Sequence, residues 1–189
     1  PNYWQHASYQ VNGGNEVPSN HPDFFKLRSA ADANALVLHY KNQGVDFIKV
    51  YEELRADQYH WLSMAADSAG MSLAGHQPWL VPFQTMISAK QRSVEHGRLF
   101  IFECADAIHP YKQQVLCRQL MAQMAASHTW WSPTLLTLQL GAKAGEASFR
   151  QDARLSYVPY LLRILWQADA GAMAKHGYDN KGQHVHSEL

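Results

Sequence analysis

Short strand-like segments alternate with helical segments along most of this chain, and that alternation limits the possible folds more than any other feature. Strands separated by single helices at this spacing predict parallel strands joined by crossover helices, the βαβ arrangement. The predicted strands are 45–51, 71–75, 92–95 and 128–131, and the predicted helices are 29–42, 56–69, 81–90, 111–126 and 155–176.

Capping residues and helix breakers set the ends of these segments. Ser29 is placed as a helix N-cap, and Gly44 and Gly70 are placed to end the helices that precede them. Pro159 is compatible with the last helix only near its first turn, because proline has no backbone N–H to donate. The apolar residues expected to face inward on that helix are Leu155, Val158, Leu161, Leu162, Leu165 and Trp166.

Two parallel architectures are compatible with this alternation, the doubly wound sheet and the barrel. A doubly wound nucleotide-binding sheet should carry a glycine-rich phosphate loop, and neither GxGxxG nor GxxxxGK[ST] occurs in the sequence. The sequence therefore favours a TIM-like (β/α)8 barrel, which typically takes about 250 residues. Since the chain has 189 residues and four recognisable strands, we expect a segment of a barrel.

The first 28 residues differ from the rest of the chain. They are rich in turn-forming residues interleaved with aromatic ones, which predicts an irregular connection over 1–28. The partial barrel, a catalytic domain, is expected over 29–189. Because the chain begins with Pro1 rather than Met, we expect a fragment of a longer protein.

Composition excludes several classes of protein. Lys and Arg together number 16, as do Asp and Glu, and no basic stripe is visible, so we expect no nucleic-acid partner. No apolar run approaches the roughly 20 residues that cross a bilayer. Cys104 and Cys117 form neither a disulfide framework nor a CxxC pair, and we predict that both are reduced and buried. The compartment cannot be read from the sequence, because a signal peptide would precede Pro1.

Residues that bear chemistry follow three neighbouring strands. Lys49, His76 and the pair Glu95–His96 lie at predicted strand ends, about 27 and about 20 residues apart, roughly one short βα unit each. In a parallel barrel such side chains converge on one mouth. Taken singly, a lysine there is usually a solvated charge and a histidine is usually a hydrogen-bonded loop residue. Taken together, these residue types are ones that bind metals, so the sequence favours a metal site and a structural role about equally.

Three segments resemble the fourth, fifth and sixth strands of the amidohydrolase superfamily, closest to its imidazolonepropionase-like and Xaa-Pro-dipeptidase-like metal hydrolases. The segments are 44–51 (GVDFIKVY), 74–76 (AGH) and 92–97 (RSVEHG). Residues 131–135 (WSPTL) are similar to the stretch that these enzymes carry at strand seven. The resemblance therefore implies that the chain holds roughly strands 4 to 7 of the barrel.

The resemblance also implies a chemistry. It implies hydrolysis of an amide or peptide-like C–N bond, in a small-molecule amide or dipeptide-like substrate, through a metal-activated hydroxide. Lys49 would be carboxylated and would bridge two divalent ions, and His76 and His96 would bind the second ion. A carboxylated lysine presents two anionic oxygens, and neutral imidazole suits zinc, which is therefore the expected metal. Glu95 would either orient a ligand or point outward, and Tyr51 would either reach substrate or pack in the barrel.

The sequence departs from the family pattern in several places. The family's His-x-His pair on strand one and the aspartate ending strand eight have no counterpart at the expected positions. We therefore expect this chain alone to be inactive and the activity to belong to the full-length parent. His184 and His186 have the His-x-His form but lie late in the chain, and we interpret them as solvent-facing at a helix start. Lys90 stands where glycine is expected before the third predicted strand.

Two rival functions stay open. Residues 44–49 are also similar to the strand that carries the Schiff-base lysine of deoxyribose-phosphate aldolases, in which case Lys49 would attack a carbonyl without a metal. That alternative leaves His76 and His96 without a role. The other rival is a non-catalytic truncated barrel that serves as a folding or interaction unit. In any of these cases unpaired strand edges would favour self-association, so we expect an oligomer.

Overall fold

The computed structural model describes residues 7–13, 21–96, 110–136, 146–147 and 151–176. Its helices are α1 (Ala30–Asn42), α2 (Ala56–Ser68), α3 (Phe83–Ser88), α4 (Pro110–Ala126) and α5 (Tyr160–His176), and its strands are β1 (Phe47–Val50), β2 (Ser72–Gly75), β3 (Ser93–Glu95) and β4 (Trp130–Ser132). Two short 3-10 helices cover Asp23–Lys26 and Ala153–Tyr157. The predicted alternation of strands and helices is confirmed.

The predicted helix ends are also confirmed where local chemistry sets them. The Ser29 hydroxyl accepts a hydrogen bond from the Asp32 backbone N–H at 3.2 Å, which satisfies one free donor at the start of α1. Gly44 and Gly70 follow α1 and α2 with φ angles of 76° and 67°. Glycine adopts this left-handed conformation without a Cβ penalty, and it therefore terminates both helices.

The four strands form one parallel sheet in the order β1-β2-β3-β4. Lys49 pairs with Ala74, and Gly75 pairs with both Val50 and Val94. Beyond β1, Ala7 and Val11 form isolated parallel bridges to Phe47 and Val50, so β1 is hydrogen-bonded along both sides. The chain therefore has an α/β fold built on a parallel sheet.

The sheet buries one row of side chains against helices. Ile48, Val50 and Val94 are at most 1% exposed, and they share a face because side chains alternate along a strand. Leu36 of α1 and Leu62 of α2 are fully buried where these two helices pack together. The opposite face carries the polar residues of the candidate site.

The chain forms two compact units, each with its own internal packing. The first comprises Pro1–His96 and Leu120–Pro133 and contains the whole sheet; the second comprises Gly97–Gln119 and Thr134–Leu189. In the first unit β4 begins at Trp130 rather than 128, because His128 lies in a turn with a φ of 56°. None of the described helices is long and apolar enough to span a bilayer.

The last helix differs from its prediction in extent and in exposure. It begins at Tyr160, directly after Pro159, and the residues before it form a 3-10 helix. The prediction that its apolar side chains face inward is wrong for four of them, which are exposed to solvent. The exposed fractions are 72% for Leu161, 42% for Leu162, 58% for Leu165 and 47% for Trp166.

The prediction of reduced, buried cysteines is wrong for Cys117. This residue lies on α4, is partly exposed and is disulfide-bonded. Pairing of cysteines depends on their separation in space, which spacing along the sequence does not reveal. Cys104 lies outside the described residues, as do His184 and His186.

Candidate metal site

Lys49 occupies the third position of β1 and is fixed by hydrogen bonds on its backbone. Its N–H donates to the Ser8 hydroxyl at 2.8 Å, and its carbonyl accepts from the Val11 N–H at 2.9 Å. Its ammonium group forms an ion pair with the carboxylate of Glu95 on β3, across the face opposite the buried row. The two side chains are 21% and 25% exposed, so this pair is partly shielded from water.

Gly75 brings β2 close to β1 and directs the chain into His76. Its φ is 123°, and a Cβ at this position would lie 2.4 Å from the carbonyl oxygen of Val50. The next residue, His76, donates its backbone N–H to that same oxygen at 3.1 Å. Only glycine allows this approach, and the approach places the His76 side chain on the polar face of the sheet.

Gln91 links the carboxyl end of β2 to the start of β3. It is fully buried, and its side-chain amide donates to the carbonyls of Gly75, His76 and Ser93 at 2.8–3.2 Å. Its amide oxygen accepts from the Tyr59 hydroxyl at 2.8 Å. A buried polar group with all its partners in place fixes local geometry, because any shift would leave a donor or acceptor unsatisfied.

His96 follows β3 in an unusual backbone conformation. Its φ is 68°, its N–H donates to the Ser132 carbonyl at 2.7 Å, and its carbonyl accepts from the indole N–H of Trp131 at 2.8 Å. Left-handed conformations of non-glycine residues are held only where the surroundings impose them, and they concentrate at functional sites. Here two hydrogen bonds to β4 impose the conformation.

Three of the side chains converge. One potential ligand atom from each of His76, Glu95 and His96 lies within 4.8 Å of the other two. The imidazole rings of His76 and His96 meet edge to face, with centroids 4.5 Å apart, and the ring of Tyr51 lies 4.5 Å from His76 on a tilted plane. Two imidazoles and a carboxylate are a donor set that fits zinc and its first-row neighbours.

The surroundings of His76 favour the neutral imidazole that a metal requires. Burial lowers the pKa of His76 below its ordinary value, and electrostatic interactions with His96 and Lys49 lower that pKa further. The carboxylates of Glu52 and Glu95 oppose the shift. A neutral imidazole keeps a lone pair for a cation, whereas a protonated one does not.

The structure places the five residues singled out from the sequence at one end of the sheet. They are Lys49, Tyr51, His76, Glu95 and His96. Two further residues were not anticipated. Glu52 lies with Oε1 at 3.2 Å from His76 Nδ1, and Gln91 clamps the strand ends. Glu52 could have been noticed as a carboxylate in the loop that follows β1, but nothing in the pattern around Gln91 distinguishes it from an ordinary loop glutamine.

No protein-family model matches this chain, and no curated protein sequence matches it. Among solved structures, bottromycin amidohydrolase superposes with a TM-score of 0.62 at 24% identity, over 98% of this chain and 40% of its own. A Xaa-Pro dipeptidase with methionine bound in its active site gives a TM-score of 0.48 at 17% identity, over 91% of this chain and 43% of its own. The chain thus spans less than half the length of either protein, and the first comparison indicates a shared α/β fold.

Proposed function

We propose that this chain is part of a metal-dependent hydrolase that cleaves amide or peptide-like C–N bonds. The observation that carries the proposal is the convergence of His76, Glu95 and His96 at the carboxyl ends of adjacent parallel strands. Parallel α/β proteins place their reacting groups at these strand ends. The fold shared with bottromycin amidohydrolase supports the same class of reaction.

The proposal includes the finer architecture. The four-stranded sheet is a segment of a (β/α)8 barrel, roughly strands 4 to 7, and its polar face lines the barrel interior. The parallel pairing of neighbouring strands and the burial of the opposite face support this arrangement. The rest of the barrel, with the other ligands and the general base, belongs to a longer parent protein.

In the proposed site His76 and His96 supply imidazole nitrogens to a divalent ion, with zinc the expected metal. Such an ion lowers the pKa of a bound water and polarises a carbonyl oxygen. Lys49 is proposed to bridge two such ions as a carbamate. Its ammonium group would first lose one proton, and the neutral amine would then form an N–C bond with CO2 and release a second proton to give the anionic carbamate. The ion pair between Lys49 and Glu95 would open in that step, which leaves the Glu95 carboxylate available beside the two histidines.

Tyr51 is proposed to contact substrate. Its ring lies against His76 at one side of the site and is partly exposed. An aromatic side chain beside the ion suits a small amide or dipeptide-like substrate. Such ligands bind mainly through apolar contacts, and a few fixed polar groups orient them. The aldolase alternative would use Lys49 without a metal, and it leaves the convergence of His76, Glu95 and His96 without a role.

Metal binding by the chain itself tests the proposal. We expect isothermal titration calorimetry with Zn²⁺ or Co²⁺ to show at least one binding site. His76→Ala or His96→Ala should lower the affinity for the ion by about 100-fold or more, since loss of a residue that only orients a ligand already lowers it by about 10–100-fold. His60→Ala is the matched control, because His60 is exposed on α2 and lies outside the cluster. A wild-type chain that binds no metal, or an equal loss in the control variant, would contradict the proposal.

A further inference from the structure

The carboxylate of Glu52 contacts a histidine of the cluster directly. Its Oε1 lies 3.2 Å from Nδ1 of His76, and the two side chains are 21% and 10% exposed. Water therefore competes weakly for this hydrogen bond. Glu52 is not among the three residues whose ligand atoms converge, and it contacts one of them, His76.

The chemistry of imidazole gives this contact a consequence. A carboxylate only accepts, so the His76 nitrogen that faces it must carry the proton. A ring nitrogen that donates a proton has no lone pair for a cation, which leaves Nε2 as the ligating atom. We propose that Glu52 is a positioning residue that holds His76 as the Nδ1–H tautomer with Nε2 directed at a divalent cation. This inference rests on the proposed metal site and adds the residue that orients one of its ligands.

The backbone around Glu52 is anchored so that the carboxylate stays in place. The Glu52 carbonyl accepts from the Trp79 N–H at 2.8 Å, and the His76 N–H donates to Val50 at 3.1 Å. These two bonds tie the loop after β1 to the loop after β2 on either side of the carboxylate–imidazole contact. The ring of Tyr51, one residue before Glu52, packs on His76 and limits its rotation.

The tautomer can be measured on the metal-free chain. At about pH 8, where an ordinary imidazole is neutral, we expect long-range ¹H–¹⁵N spectra of the wild-type chain to show His76 as the Nδ1–H tautomer. In Glu52→Ala the population should move towards the Nε2–H tautomer that free histidine prefers. Glu53→Gln is the matched control, because Glu53 is the next residue and its exposed carboxylate accepts from Asn12 instead.

Metal affinity provides the second readout. A carboxylate that hydrogen-bonds a metal-ligating histidine typically changes metal affinity by about 10–100-fold. We therefore expect Glu52→Ala to weaken Zn²⁺ binding by about 10–100-fold, Glu52→Gln to weaken it less because its amide oxygen still accepts, and Glu53→Gln to have no effect. Circular dichroism of each variant would show whether the fold is kept.

The outcomes separate this inference from the proposed function. If His76 is the Nε2–H tautomer in the wild-type chain, the proposed role of Glu52 is wrong. The same follows if Glu52→Ala changes neither the tautomer nor the Zn²⁺ affinity, and in both cases the metal site itself is unaffected. A wild-type chain that binds no Zn²⁺ would overturn the metal site, and the tautomer shift would then decide whether Glu52 orients His76. A loss of Zn²⁺ affinity that is larger in Glu52→Ala than in Glu52→Gln, together with the tautomer shift, would establish the inference.

Discussion

Lys90 occupies a turn position where the family pattern would place glycine. It is an exposed residue in the turn between α3 and β3, and its φ is 51°, a conformation that favours glycine. The expectation of glycine at this turn is consistent with that angle. The lysine side chain gains no burial there that would offset the conformational cost, so the position is locally suboptimal.

Replacing this lysine tests the strain at the turn. We expect Lys90→Gly to raise the free energy of unfolding by about 0.5–1 kcal/mol, because relief of the left-handed conformation outweighs the added freedom of the unfolded chain. Ala89→Gly is the control. Because Ala89 has a φ of −75°, glycine relieves no strain there, and the free energy of unfolding should fall by about 0.5–1 kcal/mol. Urea denaturation of the three proteins gives both values, and a loss of stability in Lys90→Gly would show that the turn is not strained.

At the scale of elements, the features set by local chemistry could be predicted from the sequence, whereas the contacts between elements could not. The N-cap at Ser29 and the glycines after α1 and α2 lie within a few residues of the ends they set, so the sequence displays them. The exposure of α5 depends on which other elements cover it, and no local pattern carries that information. The same holds in the candidate site. The strand-end pattern singled out Lys49 and His76 as candidates, whereas the contact of Glu52 with His76 depends on how the loops are placed in space.

The junction of β1 and β2 offers a sharp test at this scale. We expect Gly75→Ala to lower the free energy of unfolding by about 3 kcal/mol or more, because its Cβ would meet backbone rather than a movable side chain. Gly70→Ala is the control: its φ is 67° but open space surrounds it, so we expect a loss of about 1–2 kcal/mol. Equal losses in a urea titration would show that the two strands separate without cost at this point.

Among the described residues, α5 exposes several large apolar side chains. Tyr160 is 67% exposed at the start of α5, and Leu161 and Leu165 follow on one side of the same helix at i, i+4 spacing. Burial of apolar surface gains about 25 cal/mol per Å². An uncovered face of this kind therefore favours association, whether with the rest of a longer protein or with other copies of the chain.

Self-association of the isolated chain is the corresponding prediction. We expect sedimentation velocity to show species larger than the 21.4 kDa monomer, and Leu165→Lys to shift the distribution towards monomer because a charge on the face opposes its burial. Gln167→Lys adds the same charge at an exposed polar position of α5 and should leave the distribution unchanged. A wild-type chain that stays monomeric as its concentration rises would count against this account.

The order of the strands in the sheet has a consequence for how the protein is made. Each strand pairs with the strand that follows it along the chain, so β1, β2 and β3 can assemble in the order in which the ribosome releases them. Every contact described for Lys49, His76 and His96 with one another or with Glu95 lies within this early stretch. Domains fold from the N-terminus during synthesis at about 5–20 residues per second. These proposed ligand residues can thus come together on the nascent polypeptide before α5 is synthesised.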